Sequence, residues 1–354
     1  MAETILTVDE TGRGLQKKMI RLLQDAGIRP DPHLDYSCVL VDEDENVLAS
    51  GSLFRNTLRC LAVRPDLQGE GLMGRVVSHL LQIEISRGYT NAFLCTKPSY
   101  KDLMTDLGFH EIVSVPGAVF MESRKDGFRK WLESVKKELE KEEDERCGSR
   151  EELFGTAAVV MNANPFTLGH RHLAETAARA YERVLVFVVE EENGAIPFSV
   201  RYRLVREGLR DLPNVTVLPS GPYVISRATF PSYFLKDQEE AVKIHTSVDL
   251  AVFTHVARYL GISARLVGEE PESPVTRLYN DAMLEALPEA GIECRVIPRI
   301  RAGRRLISAS SVRKALAAGD LETVKEMTPE STWRYFTSEE AEPVLYALFR
   351  GSVI

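Results

Sequence analysis

The chain has 354 residues, of which 44% are hydrophobic, and it carries a formal net charge of −8 at neutral pH. This length favours two domains, and the apolar content is sufficient for ordinary hydrophobic cores, so we expect disorder only locally. The acidic balance gives no support to a nucleic-acid surface, which normally requires a basic face.

The sequence shows no targeting or membrane signal. Its first residues lack the basic and apolar regions of a signal peptide, and no run reaches the ~18 to 20 apolar residues that cross a bilayer. The five cysteines are scattered without a C-x-x-C pair, a pattern typical of reduced thiols. We therefore expect a cytoplasmic protein that binds neither membranes nor nucleic acids.

The first third of the chain predicts a mixed α/β domain. The runs Tyr36–Val41 and 47–53 are short and apolar, and the acidic turn between them predicts a hairpin. Thr57–Val63 predicts another strand, which leads into a glycine-rich turn at 68–74 and a helix that continues to Arg87. A further strand is predicted over 91–96 and a short helix over 101–107.

Residues 124–152 are dense in charge and predict the boundary between two domains. Apolar residues within this segment fall at helical spacing and form a stripe suited to packing against a neighbour. We predict a solvated connecting helix, with a helix that docks a partner as the alternative. The apolar stripe consists of Phe128, Leu132, Val135 and Leu139.

Beyond this segment, apolar strand-like runs alternate with helical patterns. Such alternation predicts a parallel sheet covered by helices on both faces, with ligands bound beyond the carboxyl ends of the strands. The predicted strands cover residues 157–161, 184–189, 215–218, 264–267 and 293–297. The predicted helices cover residues 170–181, 200–209, 248–260 and 275–287.

Two short motifs, about 140 residues apart, indicate the chemistry of this second part. Each lies where strand-like or irregular residues give way to a helical pattern, so backbone N–H groups and the positive helix end are available to an anion. Two such sites in one domain suggest a polyphosphate held from both sides. The motifs are residues 162–170 (NANPFTLGH) and 307–313 (ISASSVR).

These motifs resemble the two signatures of the nucleotidylyltransferase superfamily, T/H-x-G-H and ISSTxxR. The resemblance implies a doubly wound, Rossmann-like α/β sheet in which both signatures bind ATP phosphates. The candidate catalytic residues are then Thr167, His170 and Arg313. Because Thr167 stands where many members have a histidine, the site has one fewer cationic donor, and His170 and Arg313 are expected to supply more of the charge stabilisation. The candidate ATP-binding residues are Asn162, Asn164, Phe166, Thr167, Gly169, His170, Gly268, Glu269, Ile307, Ser308, Ser310 and Arg313.

The reaction class follows partly from a missing motif. The sequence contains no P-loop, G-x-x-x-x-G-K-[ST], which argues against γ-phosphoryl transfer through a Walker site. A site that grips the β- and γ-phosphates leaves the α-phosphorus open to attack, with pyrophosphate as the leaving group. Mg²⁺ is expected to accompany ATP, although the sequence assigns no metal ligand.

Three basic residues are weaker candidates for contact with a small carboxylate substrate. Arg203 ends the segment 198–203, which resembles the FSxxxR helix start of related adenylyltransferases. Arg227 and Lys236 lie in a polar, aromatic and irregular stretch, as expected for a substrate loop. For each of the three, an ordinary surface ion pair or turn is an equally good interpretation.

The glycine-rich turn of the first domain resembles motif A of the GNAT acyltransferases, Q/R-x-x-G-x-G/A. The resemblance implies a helix start that binds the pyrophosphate of coenzyme A. Met73 stands where glycine or alanine is usual, and Met104 occupies the place of a tyrosine that is catalytic in many GNAT enzymes. Binding of a CoA-like arm is therefore expected rather than ordinary acetyl transfer. The candidate arm-binding residues are Val63, Gln68, Gly69, Gly71, Leu72 and Gly74.

A GNAT-like module followed by a nucleotidylyltransferase-like module is similar to the arrangement in citrate lyase ligases. The resemblance implies a GNAT-like domain over residues 1–127, a charged helical linker over 128–154 and an ATP- and acetate-activating domain over 155–354. It also implies the partners: ATP, acetate, and the acyl carrier protein subunit of citrate lyase with its dephospho-CoA-derived prosthetic group. The segments that support it are residues 68–72, 96–98, 162–170, 219–221 and 225–237.

The activity implied by this resemblance has two steps. Acetate and ATP give acetyl-adenylate and pyrophosphate, and the thiol of the prosthetic group then takes the acetyl group and releases AMP. Two other functions remain open. A nucleotide-regulated acetyltransferase would use acetyl-CoA without releasing pyrophosphate, and an adenylyltransferase would keep AMP in a dinucleotide product.

Overall fold

A computed structural model describes residues 3–8, 13–31, 34–144, 155–190, 196–224, 238–270 and 274–350 of the chain. The chain folds into two compact units. The first contains Met1–Lys130 and Arg227–Val252, and the second contains Trp131–Ser226 and Phe253–Ile354. The first division falls inside the predicted linker, whereas the sequence assigned residues 227–252 to the second domain. The domain limits stay a prediction.

The first unit is built on a seven-stranded mixed sheet. Its strands are β1 (Thr4–Thr7), β2 (Tyr36–Val41), β3 (Val47–Phe54), β4 (Thr57–Val63), β5 (Phe93–Thr96), β6 (His110–Val115) and β7 (Ala118–Glu122). They lie in the order β1-β2-β3-β4-β5-β7-β6. Neighbours are antiparallel except for β4 and β5, which run parallel.

Helix α2 (Leu72–Ser86) contributes most to the core beside this sheet. The apolar residues of α2 recur at helical spacing, and Leu72, Val76 and Leu80 are buried. A Cβ on Gly51 of β3 would lie 2.6 Å from Val76, so only glycine permits this close approach of helix and sheet. The first helices of the chain are α1 (Arg13–Asp25), α2 (Leu72–Ser86) and α3 (Lys101–Asp106), with short 3₁₀ turns at Pro65–Leu67 and Pro98–Tyr100.

Strands β4 and β5 separate soon after they pair. They are in register over only two residues each, at the start of both strands. Cys60 of β4 has a positive φ of 52°, and the ladder between β3 and β4 shifts its register at this point. Such a bulge redirects a strand. Beyond it, Leu61, Ala62 and Val63 of β4 line a cavity together with Cys95 of β5.

A buried carboxyl group lies on α2. Glu84 is 2% exposed, and neither of its carboxylate oxygens has a hydrogen-bond partner among the described residues. Burial raises the pKa of Glu84 from 4.5 to about 7, while the charge of Arg87 opposes the rise and that of Asp35 adds to it. The folded protein therefore keeps this side chain neutral at pH values that ionise it in the unfolded chain.

Replacing Glu84 with glutamine should remove a pH-dependent loss of stability. Because the folded pKa is the higher one, the contribution of Glu84 to the free energy of unfolding is greatest below pH 4.5 and is lost as the pH rises to about 7. The full loss is roughly 3 kcal/mol. The measurement is urea unfolding of both proteins at pH 4.5 and at pH 8. The free energy of unfolding of Glu84→Gln minus that of wild type should be larger at pH 8 than at pH 4.5 by this amount. A constant difference would contradict the expectation.

The second unit is built on a five-stranded parallel sheet. Its strands are β8 (Thr156–Met161), β9 (Arg183–Val188), β10 (Val215–Pro219), β11 (Ile262–Gly268) and β12 (Glu293–Ile297). Their order is β10-β9-β8-β11-β12. The chain thus adds strands on one side of β8 and then crosses to the other side. The carboxyl ends of β8 and β11 therefore form the switch point at which such sheets bind ligands.

Helices connect these strands and continue beyond them. Buried residues of the inner strand β9 form a continuous apolar run, as expected for a parallel strand covered on both faces. A small hairpin of β13 (Arg301–Ala302) and β14 (Arg305–Leu306) precedes the second motif. The remaining helices are α4 (Gly127–Asp144), α5 (Leu168–Ala180), α6 (Phe198–Leu209), α7 (Gln238–Leu260), α8 (Pro274–Glu289), α9 (Ala309–Ala318), α10 (Leu321–Met327), α11 (Glu330–Phe336) and α12 (Glu342–Phe349), with a 3₁₀ turn at Glu339–Ala341.

The predicted fold class, a mixed α/β domain followed by a doubly wound parallel sheet, is confirmed. The predicted linker helix is packed rather than fully solvated, because Leu132, Val135 and Leu139 of its stripe are buried. Its Trp131 ring also lies 5.3 Å from the ring of Tyr223. None of the helices in the described ranges combines the length and hydropathy needed to cross a membrane.

Candidate active site

The first motif joins the carboxyl end of β8 to the start of α5. Thr167 is the N-cap of this helix. The backbone N–H groups of Leu168 and Gly169 in its first turn have no hydrogen-bond partner among the described residues. Since helix starts leave such donors for caps, water or ligands, these two N–H groups are available to an anion.

Thr167 and His170 form a reciprocal cap at the start of α5. The Thr167 hydroxyl accepts from the His170 backbone N–H at 3.4 Å, and His170 Nδ1 accepts from the Thr167 N–H at 3.1 Å. Because Nδ1 is an acceptor, the proton of the neutral imidazole lies on Nε2, where it is suited to donate to a phosphate oxygen. Thr167 is 1% exposed. It therefore orients His170, whereas the sequence predicted direct contact between Thr167 and phosphate.

His170 is neutral at ordinary pH. Burial lowers its pKa to about 4, and the positive charge of Arg299 contributes to the lowering. The structure therefore makes His170 a neutral hydrogen-bond donor, and its predicted share in charge stabilisation stays a prediction. Phe166 lies beneath it, with ring centroids 6.1 Å apart, and is fully buried. Its side chain therefore supports His170, and its predicted contact with ATP stays a prediction.

The His170 imidazole should therefore not titrate in the range of a free histidine. We expect its C2-proton NMR shift to stay constant between pH 5.5 and 8, because the midpoint lies at about 4. The chain has seven histidines, so the signal is assigned by its loss in His170→Asn. A midpoint near 6.5 for this signal would contradict the neutral state.

The second motif forms the start of α9. Ser308 is the N-cap, and its hydroxyl accepts from the Ser311 N–H at 3.0 Å. The N–H groups of Ala309 and Ser310 have no hydrogen-bond partner in the part of the chain that the structure describes. The side chain of Ser310 is exposed. This helix start therefore offers two backbone donors and a hydroxyl group to an anion.

The two motifs lie side by side although they are far apart in sequence. Arg313 Nη1 donates to the backbone oxygen of Asn164 at 2.6 Å. A Cβ on Gly169 would lie 3.4 Å from the carbonyl oxygen of Ile307, so α5 begins against the residue that precedes Ser308. Burial lowers the pKa of Arg313, but a guanidinium remains charged. The fold thus brings two helix starts and one cation together at the switch point.

The turns after β11 and β12 form the other side of the switch point. The Glu269 N–H donates to the oxygen of Ile297 at 2.9 Å. The Arg299 guanidinium donates from Nε to the backbone oxygen of Glu269 at 2.7 Å. It also lies 2.5 Å from the Glu270 carboxylate. Gly268 and Glu269, which the sequence predicted near ATP, thus lie beside a cation that sequence reasoning missed.

Arg201 is a second residue that sequence reasoning missed. Its side chain is fully buried, and its Nη1 donates to Asn162 O at 2.6 Å, to Asn162 Oδ1 at 2.9 Å and to Val189 O at 2.9 Å. Its Nε donates to Ile196 O at 3.1 Å. The guanidinium therefore ties together the turns after β8 and β9 beneath the first motif. The one sequence signal is its helical spacing from the buried Leu204.

The predicted carboxylate-binding residues are only partly described. Arg203 forms an exposed ion pair with Glu340 at 2.7 Å, the ordinary alternative that its sequence context left open. Arg227 and Lys236 lie outside the described residues. A substrate role for these three residues stays a prediction.

The glycine-rich turn of the first unit forms a third helix start. Gly69 and Gly71 have φ values of 93° and 77°, in the left-handed region that favours glycine. Gly71 is the N-cap of α2, and the N–H groups of Leu72, Met73 and Gly74 have no hydrogen-bond partner among the described residues. These donors suit a phosphate group.

This turn borders a cavity of about 450 Å³. All six residues predicted to bind a CoA-like arm line it, together with Met104. The walls are mainly apolar, and the exposed Lys97 lies at the edge. The cavity therefore combines an apolar channel with phosphate-suited donors and a cation.

A resident metal site is not formed by the side chains that the structure describes. Among those residues, no three His, Cys, Asp or Glu side chains lie close enough to hold a metal ion. The one carboxylate described above at the switch point, that of Glu270, is paired with Arg299. Mg²⁺ therefore stays a prediction, and no step below depends on it.

Comparison with known proteins agrees with this arrangement. A family model described as "Citrate lyase ligase C-terminal domain" matches residues 156–336. The [citrate [pro-3S]-lyase] ligase of Escherichia coli K12 is 36% identical over 84% of this chain and 83% of its own length. The corresponding ligase of Haemophilus influenzae is 33% identical over 90% of this chain and 95% of its own length.

Solved structures resemble about a third of the chain. A GNAT-family acetyltransferase of Staphylococcus aureus is 11% identical, with a TM-score of 0.29, and covers 34% of this chain and 98% of its own. A GNAT-family N-acetyltransferase of Escherichia coli in complex with CoA is 17% identical, with a TM-score of 0.26, and covers 34% of this chain and 81% of its own. TM-scores this low support no conclusion about the chain.

The second unit defines the class. A doubly wound sheet with two anion-suited helix starts at its switch point is a nucleotidylyltransferase-type domain. The chain belongs to the citrate lyase ligase family. It is thus an enzyme of the ligase class, as the sequence predicted.

Proposed function

We propose that the protein acetylates the thiol of the prosthetic group on the citrate lyase acyl carrier protein, with cleavage of ATP to AMP and pyrophosphate. One observation supports this proposal most strongly: two helix starts lie beside Arg313, which bridges to Asn164, and each has two N–H groups without a hydrogen-bond partner among the described residues. Four backbone donors and a guanidinium match the oxygens of a polyphosphate tail.

In the first step, a carboxylate oxygen of acetate attacks the α-phosphorus of ATP. A bond forms between this oxygen and phosphorus, and the bond from phosphorus to the bridging oxygen of the β-phosphate breaks. The products are acetyl-adenylate and pyrophosphate. Arg313 and the starts of α5 and α9 stabilise the charge that develops on pyrophosphate, while His170 donates a neutral hydrogen bond from Nε2.

In the second step, the carrier thiol loses its proton to solvent and its sulfur attacks the acetyl carbon. A carbon–sulfur bond forms, the bond from the acetyl carbon to the AMP oxygen breaks, and AMP leaves. The cavity of the first unit would hold the prosthetic arm. Its apolar walls suit the extended chain of the arm, and the N–H groups of Leu72, Met73 and Gly74, which have no partner among the described residues, suit its phosphates.

The test mixes ATP, acetate and the de-acetylated carrier protein, and follows AMP, pyrophosphate and thioester together. We expect all three products in equal amounts, and none without acetate. Thioester formation from acetyl-CoA without pyrophosphate would instead identify a nucleotide-regulated acetyltransferase. Pyrophosphate release with AMP retained in a dinucleotide would identify an adenylyltransferase. Either result overturns the proposal.

A further inference from the structure

Arg299 stands at the switch point of the second unit's sheet, outside both sequence motifs. It follows the last residue of β12, Ile297, by two positions. The turn after β11 is tied to the same place, because the Glu269 N–H donates to Ile297 O. Since β11 is the neighbour of β8, Arg299 lies at the sheet edge from which the first motif also starts.

The Arg299 side chain is held in place rather than free in solvent. Its Nε donates to the Glu269 oxygen at 2.7 Å, and its Nη2 donates to the Glu270 carboxylate at 2.5 Å. The side chains of Arg299 and Glu270 are only 20% and 17% exposed. A charge fixed in this way needs little reorganisation when it binds a ligand.

Donors remain on Arg299 for a ligand. A guanidinium carries five N–H groups, and two of them make these two bonds. The other three have no protein partner in the described ranges. Arg299 therefore has the capacity to bind an anion without releasing Glu270.

The polyphosphate site needs a cation beyond those of the two motifs. Thr167 is a buried cap and His170 is neutral, which leaves Arg313 as the one fully charged side chain of the motifs. A triphosphate carries several negative charges, and charge-assisted bonds to guanidinium groups are the strongest that a protein offers. The charge of Arg299 already acts on the His170 imidazole, so it acts on a phosphate bound there as well.

We propose that Arg299, oriented by Glu270, is the second cation of the polyphosphate site and holds the phosphate tail from the side opposite Arg313. This inference rests on the proposed function, because it assumes that the switch point binds ATP. Arg299 binds the β- and γ-phosphates, and Glu270 is a positioning residue that fixes the guanidinium. The site thus clamps the tail between two arginines that lie on different elements.

Calorimetric titration of the full chain tests this assignment. The ligands are ATP, inorganic tripolyphosphate and AMP, each titrated in EDTA and again with Mg²⁺, and the variants are compared in the condition in which wild type binds. The variants are Arg299→Gln, Arg299→Lys and Glu270→Gln. The matched control is Arg295→Gln, which breaks the exposed pair of Arg295 with Glu293 on the same strand.

We expect Arg299→Gln to weaken the binding of ATP and of tripolyphosphate roughly ten- to a hundredfold. Its affinity for AMP should be unchanged, and the control variant Arg295→Gln should bind all three ligands like wild type. Arg299→Lys should recover part of the loss. Glu270→Gln should bind ATP no more weakly than wild type, because it keeps a hydrogen-bond acceptor and removes a negative charge. If the ion pair were only structural, substitution of either partner would weaken ATP binding to the same extent.

Two results would overturn the assignment: unchanged ATP binding in Arg299→Gln, or equal losses in Arg299→Gln and Glu270→Gln. Thermal melts of each variant show whether it is folded, and Arg299→Lys and Glu270→Gln keep the test open if Arg299→Gln unfolds. If wild type itself fails to bind ATP, the proposed function fails. If wild type binds and Arg299→Gln binds equally well, only the role of Arg299 fails.

Discussion

Replacing Arg313 with glutamine should slow acetyl-adenylate formation by about a hundredfold to a thousandfold, a loss of roughly 3 to 4 kcal/mol of barrier stabilisation. The substitution removes the one fully charged side chain of the two motifs. It also removes the 2.6 Å hydrogen bond to Asn164, which joins the motifs. Both effects act on the leaving pyrophosphate, because the starts of α5 and α9 lose their connection and their positive charge together.

Acetate-dependent exchange of radioactive pyrophosphate into ATP measures this first step without the carrier protein. Lys314→Gln is the matched control, since it removes a neighbouring charge on the exposed side of α9. The exchange rate of Arg313→Lys should lie between those of Arg313→Gln and Lys314→Gln, because a lysine keeps the charge without the planar fork of the guanidinium. Exchange in Arg313→Gln above a tenth of the wild-type rate would contradict the role of this residue.

Replacing Gly71 with valine should impair acetyl transfer to the carrier while it leaves acetyl-adenylate formation intact. The left-handed backbone of Gly71 positions the free N–H groups at the start of α2. A β-branched residue is strained there by roughly 1 to 2 kcal/mol and would shift the turn. Loss of one charge-assisted bond to a phosphate would slow the transfer roughly ten- to a hundredfold.

A matched control exists at the other end of α2. Gly88 has a φ of 86°, close to the 77° of Gly71, and an added Cβ meets no atom within 4 Å at either position. Gly88→Val therefore carries the same backbone strain without a place in the cavity lining. Thioester formation should fall in Gly71→Val alone, and pyrophosphate exchange should be equal in both. Equal loss of exchange and transfer in Gly71→Val would contradict a separate arm site.

Much of the fold could be predicted because its strands are apolar runs with clear boundaries. The predicted limits of β2, β4 and β12 coincide with the observed ones. Other elements lack such a signal. Strand β1 has only four residues and is partly exposed, so its place depends on pairing with β2. The short helices α10 to α12 are likewise defined by the core that they cover.

The candidate site was predicted only where its residues are neighbours in sequence. The turns 162–170 and 307–313 have local signatures, and the structure joins them. Arg201 and Arg299 have no local signature, because their partners are distant in sequence. Arg201 bonds to Asn162, 39 residues away, and Arg299 bonds to Glu269, 30 residues away. The neutral state of His170 was also missed, because it follows from burial and from the charge of Arg299.

The link between Arg313 and Asn164 spans 149 residues of chain. Contacts this distant in sequence form only after the intervening segment has been synthesised and folded. All seven strands of the first sheet, in contrast, are complete by Glu122. On the ribosome, all strands of the first sheet and all residues that line its cavity, which lie between Ala26 and Leu107, are therefore synthesised long before α9.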